Sequence, residues 1–326
     1  MNVARFIAAL GIATPAPGDL HRQVAALISG APLFRRHPTW IGPDGQRQVM
    51  GFVDDFRDLA DFPVRVAALL HRAYHDCQQD LLAREGRAIE APLVVLLPTL
   101  LQRPTFADAF RNAAAKLDFR GVSRVHLIFG DAPASLALLG QIELDGSLPH
   151  AYVAATDSLV TPFMLDFLAA QGLLRDRLSP WNPIPAEAAA VLLLSRLDGP
   201  IRLQGWATAQ ETQRIADPDR GLLGRSMCCA IDDALAMAGV EPQEVISDAG
   251  PERWQAEEIG IVRSERPSLT NESVSWHRIV QGAGDFGAAK SLVSVAAACV
   301  REVPSLILSG DRSGNRTAAV IAPPAT

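Results

Sequence analysis

Little in this sequence marks it for metal, membrane or nucleic-acid work. It has only four cysteines, Cys77, Cys228, Cys229 and Cys299, and they show neither zinc-site nor disulfide spacing. Thiols scattered through apolar, helix-like segments point to a reducing compartment, so a cytoplasmic location is expected. No apolar run is long enough to cross a bilayer. The opening "MNVARFIAALGIATPAPGDL" carries a short apolar run that a weak signal peptide would share. It has a single positive charge, however, and 11–18 reads as a turn into a helix, which favours a first buried strand. The net charge of −6 leaves no cationic excess for phosphate. The arginines of "LFRRHP" and "LLRDRLSP" are interspersed with acids, as on a solvated face rather than a nucleic-acid patch.

What is present is an alternation. With 326 residues, 48% of them hydrophobic and 20% charged, the chain can bury one large α/β domain or two ordinary ones. "ARFIAALGIA" reads as a buried strand, and "GDLHRQVAALISG" as a helix capped by Asp19 and stopped at Gly30. The span 41–62 is polar and rich in Gly and Asp, a loop excursion before the long amphipathic helix "PVRVAALLHRAYHDCQQDLLAREG". Strands are then expected at "APLVVLLPTL", "SRVHLIFG", "AYVAATDS" and "AEAAAVLLLSRL". Between them lie helices at "TFADAFRNAAAKL", started by Thr105, "APASLALLGQIELDG" and "PFMLDFLAAQGLL". The pattern begins again at "IRLQGWATA" and ends on a hairpin around "DRSGN". Near-continuous apolar strands separated by helices predict a largely parallel sheet covered on both faces. Two helices match in character, 132–146 and 287–303. Each follows a Gly-Asp pair (Gly130-Asp131, Gly284-Asp285) and each is rich in small residues, so the two can pack closely. An internal duplication is therefore expected, with domains at 1–198, including an excursion at 41–90, and 199–326.

In its order of motifs the chain resembles the thiolase fold, and within it the β-ketoacyl synthases. "ALGIATPAPGDLHRQVAALISG" is similar to the family's opening "G-x-G-x-x-T-P-x-G" and its helix. "AYVAATDSLVTPFMLDFLAAQGLL" is similar to the passage "D-S-L-x-x-P" and its helix. "WNPIPAEAAAVLLL" matches "G-F-V-x-G-E-G-A-A-x-L-V-L" through Pro185, Glu187 and Ala188–Ala190. "ALAMAGVEPQEVISDAG" is similar to the helix, link and strand ahead of the first histidine motif. "GDFGAAKSLVSVAAACV" is similar to "G-H-x-x-G-A-A-G" through Gly284, Gly287, Ala288 and Ala289, which accounts for "GAGDFG" better than a dinucleotide loop does. The resemblance implies an α/β, thiolase-like fold of duplicated βαβαβαββ halves, layered α-β-α-β-α.

The resemblance also implies that the chemistry is gone. The family's nucleophilic cysteine, at the start of the first central helix, falls at Gly130/Asp131. Its two histidines fall at Ala249, in "AGPER", and at Asp285, and its lysine falls near Val280. No catalytic position is intact. Asp131 has no histidine or lysine near it in sequence to assist a nucleophile. With Pro133 in the first turn it reads as a helix N-cap. Asp131 and Asp285 facing one another offer too few ligands for a cation.

Other candidates read as structural. His71 and His75 lie one turn apart beside Asp76 and Cys77 but lack a third zinc ligand, so they form a solvent-facing pair. Cys228-Cys229 sit within an apolar helix as core, and His277 beside Trp276 reads as an interface or core residue. No cofactor or metal is expected. The function implied is that of a catalytically silent scaffold working through a partner. That partner is a second copy, a ketosynthase-like chain as in the chain-length-factor heterodimers, or a type VI secretion-related protein, with acyl carrier protein a further candidate. The alternatives are an acyl-thioester-processing acyltransferase or decarboxylase, or an acyl-ligand binder with room left by Ala132, Ala134, Ala288 and Ala289. In the family the strand 123–130 forms the dimer contact.

Overall fold

The computed structural model describes residues 5–324 apart from 57, 177, 178, 214, 216, 218–220 and 222, so Arg177 of the "LLRDRLSP" run lies outside the described residues. The first part of the chain runs β1 (Arg5–Ala13), α1 (Leu20–Ser29), β2 (Arg35–Ile41), β3 (Arg47–Met50), α2 (Phe62–Glu85), β4 (Ala91–Leu97) and α3 (Pro104–Ala114). It continues through β5 (Val122–Phe129), α4 (Ala132–Gln141), β6 (His150–Ser158), α5 (Pro162–Ala170) and β7 (Glu187–Ser195). The second part runs β8 (Ile201–Gln210), α6 (Arg225–Ala238), β9 (Glu244–Ser247), α7 (Arg253–Glu265), β10 (Ser275–Arg278), α8 (Val280–Ala283), α9 (Lys290–Arg301), β11 (Ser305–Gly310) and β12 (Asn315–Ala322).

The strand order β10-β9-β11-β12-β8-β1-β7-β6-β4-β5 contains the same arrangement twice. In each half a central strand pairs in parallel with two neighbours (β4 with β5 and β6; β9 with β10 and β11). An antiparallel strand then follows (β7 on β6; β12 on β11), and the half's first strand closes the set antiparallel to it (β1 on β7; β8 on β12). The halves meet where Arg5–Ile7 pairs with Ile201–Leu203. The sheet is thus mixed, not largely parallel. The expectation failed because β7 and β12 are as continuously apolar as the parallel strands, and composition alone does not give direction.

Burial sorts the helices into layers. Val66 and Leu70 of α2 and Phe110 of α3 share a core with one face of the first strand set. Met227 and Ile231 of α6 and Val262 of α7 do the same on the second. Between the two sets lie α4 and α9, with Leu136, Leu139, Leu292 and Val295 in a common core to which Val24 and Leu27 of α1 also belong. The result is the α-β-α-β-α layering. Every residue of β6 and β7 apart from His150 is buried, as strands covered on both faces must be.

Several local expectations need correction. Residues 41–62 are not all loop: β2 and β3 pair antiparallel as a separate hairpin, followed by a 3-10 turn at Asp54–Phe56. Polar composition hid the hairpin because its strands are largely exposed. The excursion is fastened by Glu187. Its buried carboxylate takes both Arg65 Nε (2.6 Å) and Nη2 (2.7 Å), Ser158 Oγ (2.8 Å) and the Val53 N–H (2.8 Å). The central helices are shorter than expected. The first ends at Gln141, and the second begins as a 3-10 turn at Gly287–Ala289 before α9. Cys228 is core, as expected, but Cys229 is exposed, because adjacent helical residues point about 100° apart.

Candidate functional site

The N-terminus of α9 lies at a cavity of about 250 Å³ lined by Ala249, Val280, Asp285, Lys290, Asp248 and Arg175, with Phe34, Ile184 and Arg278 among its other walls. Ala249, Val280 and Asp285, three positions where the sequence resemblance places catalytic groups, therefore share one chamber. Gly130 and Asp131 are not among its lining residues, although Asp131 lies within electrostatic reach of Lys290 and Asp285. No cysteine or histidine is among the residues lining the cavity. Among the described residues no three His, Cys, Asp or Glu side chains are placed to hold a metal ion.

Asp131 occupies the N-cap position of α4 in extended backbone, but its side chain makes no capping hydrogen bond. This corrects the cap reading. Its carboxylate feels the charges around α9 instead. There, shielding from water and the charge of Asp311 raise its pKa, Lys290 pulls it back, and Asp285 adds to the rise. A lysine remote in sequence is nevertheless within electrostatic reach of Asp131: Lys290.

Lys290 is the centre of the site. Its Nζ lies 3.3 Å from Asp285 Oδ1, with the side chain 13% exposed. Burial works against the ammonium, but Asp285 and Asp248 more than offset it, so the amine is held above the ordinary lysine value. It is a fixed cation, not a nucleophile. Asp248, fully enclosed, accepts from Ser309 Oγ (2.6 Å) and Ser291 Oγ (3.2 Å), and burial raises its pKa against the pull of Lys290. Asp157, at the end of β6, reaches across the halves: Oδ2 accepts the Ala288 N–H at 2.9 Å, and Oδ1 its neighbour's, Ser158, at 2.8 Å. Burial pushes Asp157 up to about 7. The two N–H groups oppose the rise, and the charges of Asp285 and Asp131 add to it.

The approach of Asp157 depends on Gly287. Its φ is +55°, and a Cβ there would lie 1.9 Å from Asp157 Oδ2. Asp285 is fixed in turn by its Oδ1, which accepts the Gly287 N–H (2.9 Å), and by main-chain bonds to Ile184 (2.8 Å) and Ala186 (2.9 Å). Asp285 and Asp248 thus hold one ammonium, with Asp131 within electrostatic reach, and there is no nucleophile–base pair among them. Such a site can bind, orient and stabilise charge.

Lys290, Asp157 and Asp248 were missed from the sequence. One signal was available: the chain has two lysines, Lys116 and Lys290, against 28 arginines. A lysine inside an apolar, alanine-rich helix start of such a chain stands out. The lysine position of the resemblance, Val280, lines the same cavity, so a cation is still present there but comes from ten residues further on.

The remaining candidates stay apart from this chamber. His71 Nε2 lies 3.1 Å from the Asp118 carbonyl oxygen, and His75 is exposed beside Asp76. His277 is half-buried on β10, 3.6 Å from the buried Glu244, and desolvation lowers its pKa.

No protein-family model matches the chain, and no curated protein does. Solved structures do. A chain from a complex of a type II polyketide synthase acyl-carrier protein with its ketosynthase is similar over 99% of this chain and 100% of that one, at 15% identity and a TM-score of 0.78. A chain of the ketosynthase ApeO in complex with its chain length factor ApeC, from Xenorhabdus doucetiae, is similar over 98% of each, at 15% identity and 0.69. A ketosynthase from module 6 of the bacillaene synthase of Bacillus subtilis 168 matches 99% of this chain and 72% of its own, at 14% identity and 0.71. The fold is therefore the thiolase-like fold of ketosynthases and chain length factors.

Proposed function

We propose that this chain is a ketosynthase-like scaffold without condensing chemistry, which works as one subunit of a heterodimer with a ketosynthase-like chain. The observation that supports this is the chamber at the start of α9: carboxylates and a held ammonium line it without cysteine or histidine, whereas acyl transfer in the family uses a thiol and imidazoles. The four cysteines support the same reading, since Cys77 and Cys228 belong to the outer-layer cores and Cys299 lies near the far end of α9. Fold likeness to chains from ketosynthase–chain length factor and carrier-protein complexes adds support.

The contact surface in this reading is β5, an outermost strand of the sheet. Its residues Ser123–His126 are exposed, and Val125 is 51% exposed, although the strand is eight residues long. An uncovered edge of this length templates pairing with another chain. Acyl carrier protein and a second copy are further partners within the proposal, and an adaptor role in type VI secretion is its most specific form. Domains at 1–198 and 199–326 and a cytoplasmic location complete it. No helix among the described residues is long and apolar enough to cross a membrane.

The test is co-expression with candidate ketosynthase-like chains, followed by mass identification of what co-purifies. Wild type should carry a stoichiometric ketosynthase-like partner, and Val125→Arg should release it while staying folded. A chain that stays monomeric beside every candidate would sink the reading, as would a partner indifferent to Val125→Arg. The second reading, acyl-thioester processing, is favoured by one observation, the buried ammonium of Lys290 at the cavity wall. It requires turnover of malonyl or acyl thioesters that Asp131→Ala or Asp285→Ala abolishes.

A further inference from the structure

The cavity beside α9 carries its charges unevenly. On its wall Lys290 and Asp285 form an ion pair, and both side chains remain accessible, 13% and 21% exposed. An ammonium has three N–H donors, and Asp285 is its one ion-pair partner among the described residues, so donors are left over. Asp248 uses its oxygens elsewhere. It is 2% exposed, Oδ2 accepts from Ser291 and Ser309, and Oδ1 takes the Gly310 N–H at 3.4 Å.

Arg278 and Arg175 differ from these groups. Both are exposed residues of the wall, and neither has a carboxylate partner among the described residues. Arg278 Nη2 donates to Gln281 Oε1 at 3.3 Å. Gln281 is a neutral acceptor on the same wall, so it orients the guanidinium without cancelling its charge. Between the charged groups the lining is apolar, with Phe34, Pro183, Ile184, Ala249 and Val280. An apolar chamber with a few convergent polar groups is the form that small-molecule sites take. The charges then fix the sign of the ligand. Lys290 and Asp285 cancel, so the unbalanced charge belongs to the guanidinium groups, and an anion answers it. A second negative charge would share this small space with Asp285 and Asp248, so a monoanion fits better than a dianion.

We infer that this chamber binds a short-chain free carboxylate carrying a second, uncharged oxygen, with the carboxylate on Arg278 and Arg175 and the second oxygen accepting from Lys290. A bare alkyl end would cut the leftover donors of Lys290 off from water and give them no partner, which is why the second oxygen is part of the ligand. Esters and thioesters lack the charge that the guanidinium groups call for, so the chamber selects free acids. The inference rests on the reading of this chamber as a site without condensing chemistry, but it does not depend on any partner chain.

Ligand-observed NMR titration of the intact chain at low ionic strength tests this with four probes: levulinate, pentanoate, methyl levulinate and glutarate. Levulinate, a monoanion with a ketone oxygen, should bind saturably. Pentanoate keeps the charge and lacks the ketone, and should bind roughly threefold more weakly or worse, the scale of one hydrogen bond. Methyl levulinate keeps the ketone and lacks the charge, and glutarate adds a second carboxylate; both should bind more weakly than levulinate. Arg278→Gln, a change at an exposed side chain that leaves folding alone, should weaken levulinate roughly tenfold, the scale of a hydrogen bond between charged groups. The inference is overturned if levulinate does not bind, if any of the other three probes binds as well as it does, or if Arg278→Gln binds it as wild type does. Because the titration uses this chain without a partner, its failure leaves the heterodimer reading standing, and a failed co-purification leaves the titration standing.

Discussion

The helices α4 and α9 occupy equivalent places in the two halves, yet their beginnings are built differently. At α4 the capping position holds Asp131, whose carboxylate makes no bond to the helix it precedes. At α9 a 3-10 turn leads in, with one N–H taken by Asp285 of the same half and another by Asp157 of the other. The first start is an ordinary surface turn with an acid within electrostatic reach of the cluster. The second is a buried assembly of charge, closed by a lysine and held by contacts that cross the duplication. Duplication thus conserves the path of the backbone and leaves the chemistry at each helix start free to diverge.

The comparison is most severely tested by removing the cation. Lys290→Met should destabilise the fold by about 3–5 kcal/mol, as expected when one partner of a buried pair is lost. Urea denaturation reads this directly, and a loss under 1 kcal/mol would mean that the acids around α9 do not depend on Lys290. Next in size comes the glycine pair. Gly287→Ala places a Cβ 1.9 Å from Asp157 Oδ2 at φ +55°, and should cost about 2 kcal/mol or more. Gly130→Ala, a glycine change just before α4, meets Ala134 Cβ at 3.2 Å and Leu96 Cδ1 at 3.5 Å. It should cost well under about 1 kcal/mol, since the neighbours need to yield only slightly. Equal losses at the two sites would erase the distinction.

Titration sharpens it further. Asp157 has its pKa pushed from 3.8 up to about 7 in the folded chain. Between those values the folded state keeps a proton that the unfolded chain has released, so stability falls as pH rises through this window. Denaturation midpoints between pH 4 and pH 8 should therefore decline with pH in wild type, and less steeply in Asp157→Asn. Asp248 and Glu258, also raised, act with the same sign and leave a residual slope. The smallest effect belongs to Asp131→Ala. A working cap would cost about 1 kcal/mol, but without the bond the change should stay within about 0.5 kcal/mol. Thr161→Ala, where the hydroxyl accepts the Met164 N–H to start α5, is the positive control.

Much of the fold was legible in the sequence. The caps Asp19 and Gly30, the apolar runs of β4, β6 and β7 and the terminal hairpin all announce themselves within a few residues. The exposed β2–β3 hairpin did not, because neither of its strands is buried enough to show a clear alternation. The site was legible by subtraction only. Motif order singles out Ala249, Asp285 and Val280, and the structure brings them into one cavity whose charged groups the motifs do not announce. Asp157 stood in a passage read as the end of a strand, and its partner Ala288 is 131 residues away. Lys290 was read as part of a helix, although its rarity in the chain was visible.

By itself the sequence determined the elements, their duplication and the lack of cysteine and histidine at the two helix starts. These are properties of residue identity and short-range periodicity, and no folding is needed to read them. Only the tertiary structure decided strand direction, the meeting of Asp285 and Asp248 with one ammonium, the reach of Asp157 across the halves to Ala288, and the raised pKa of Asp157. Those depend on which distant groups share a space closed to water, since burial strengthens every charge interaction within it and the order of residues along the chain does not say who the neighbours are.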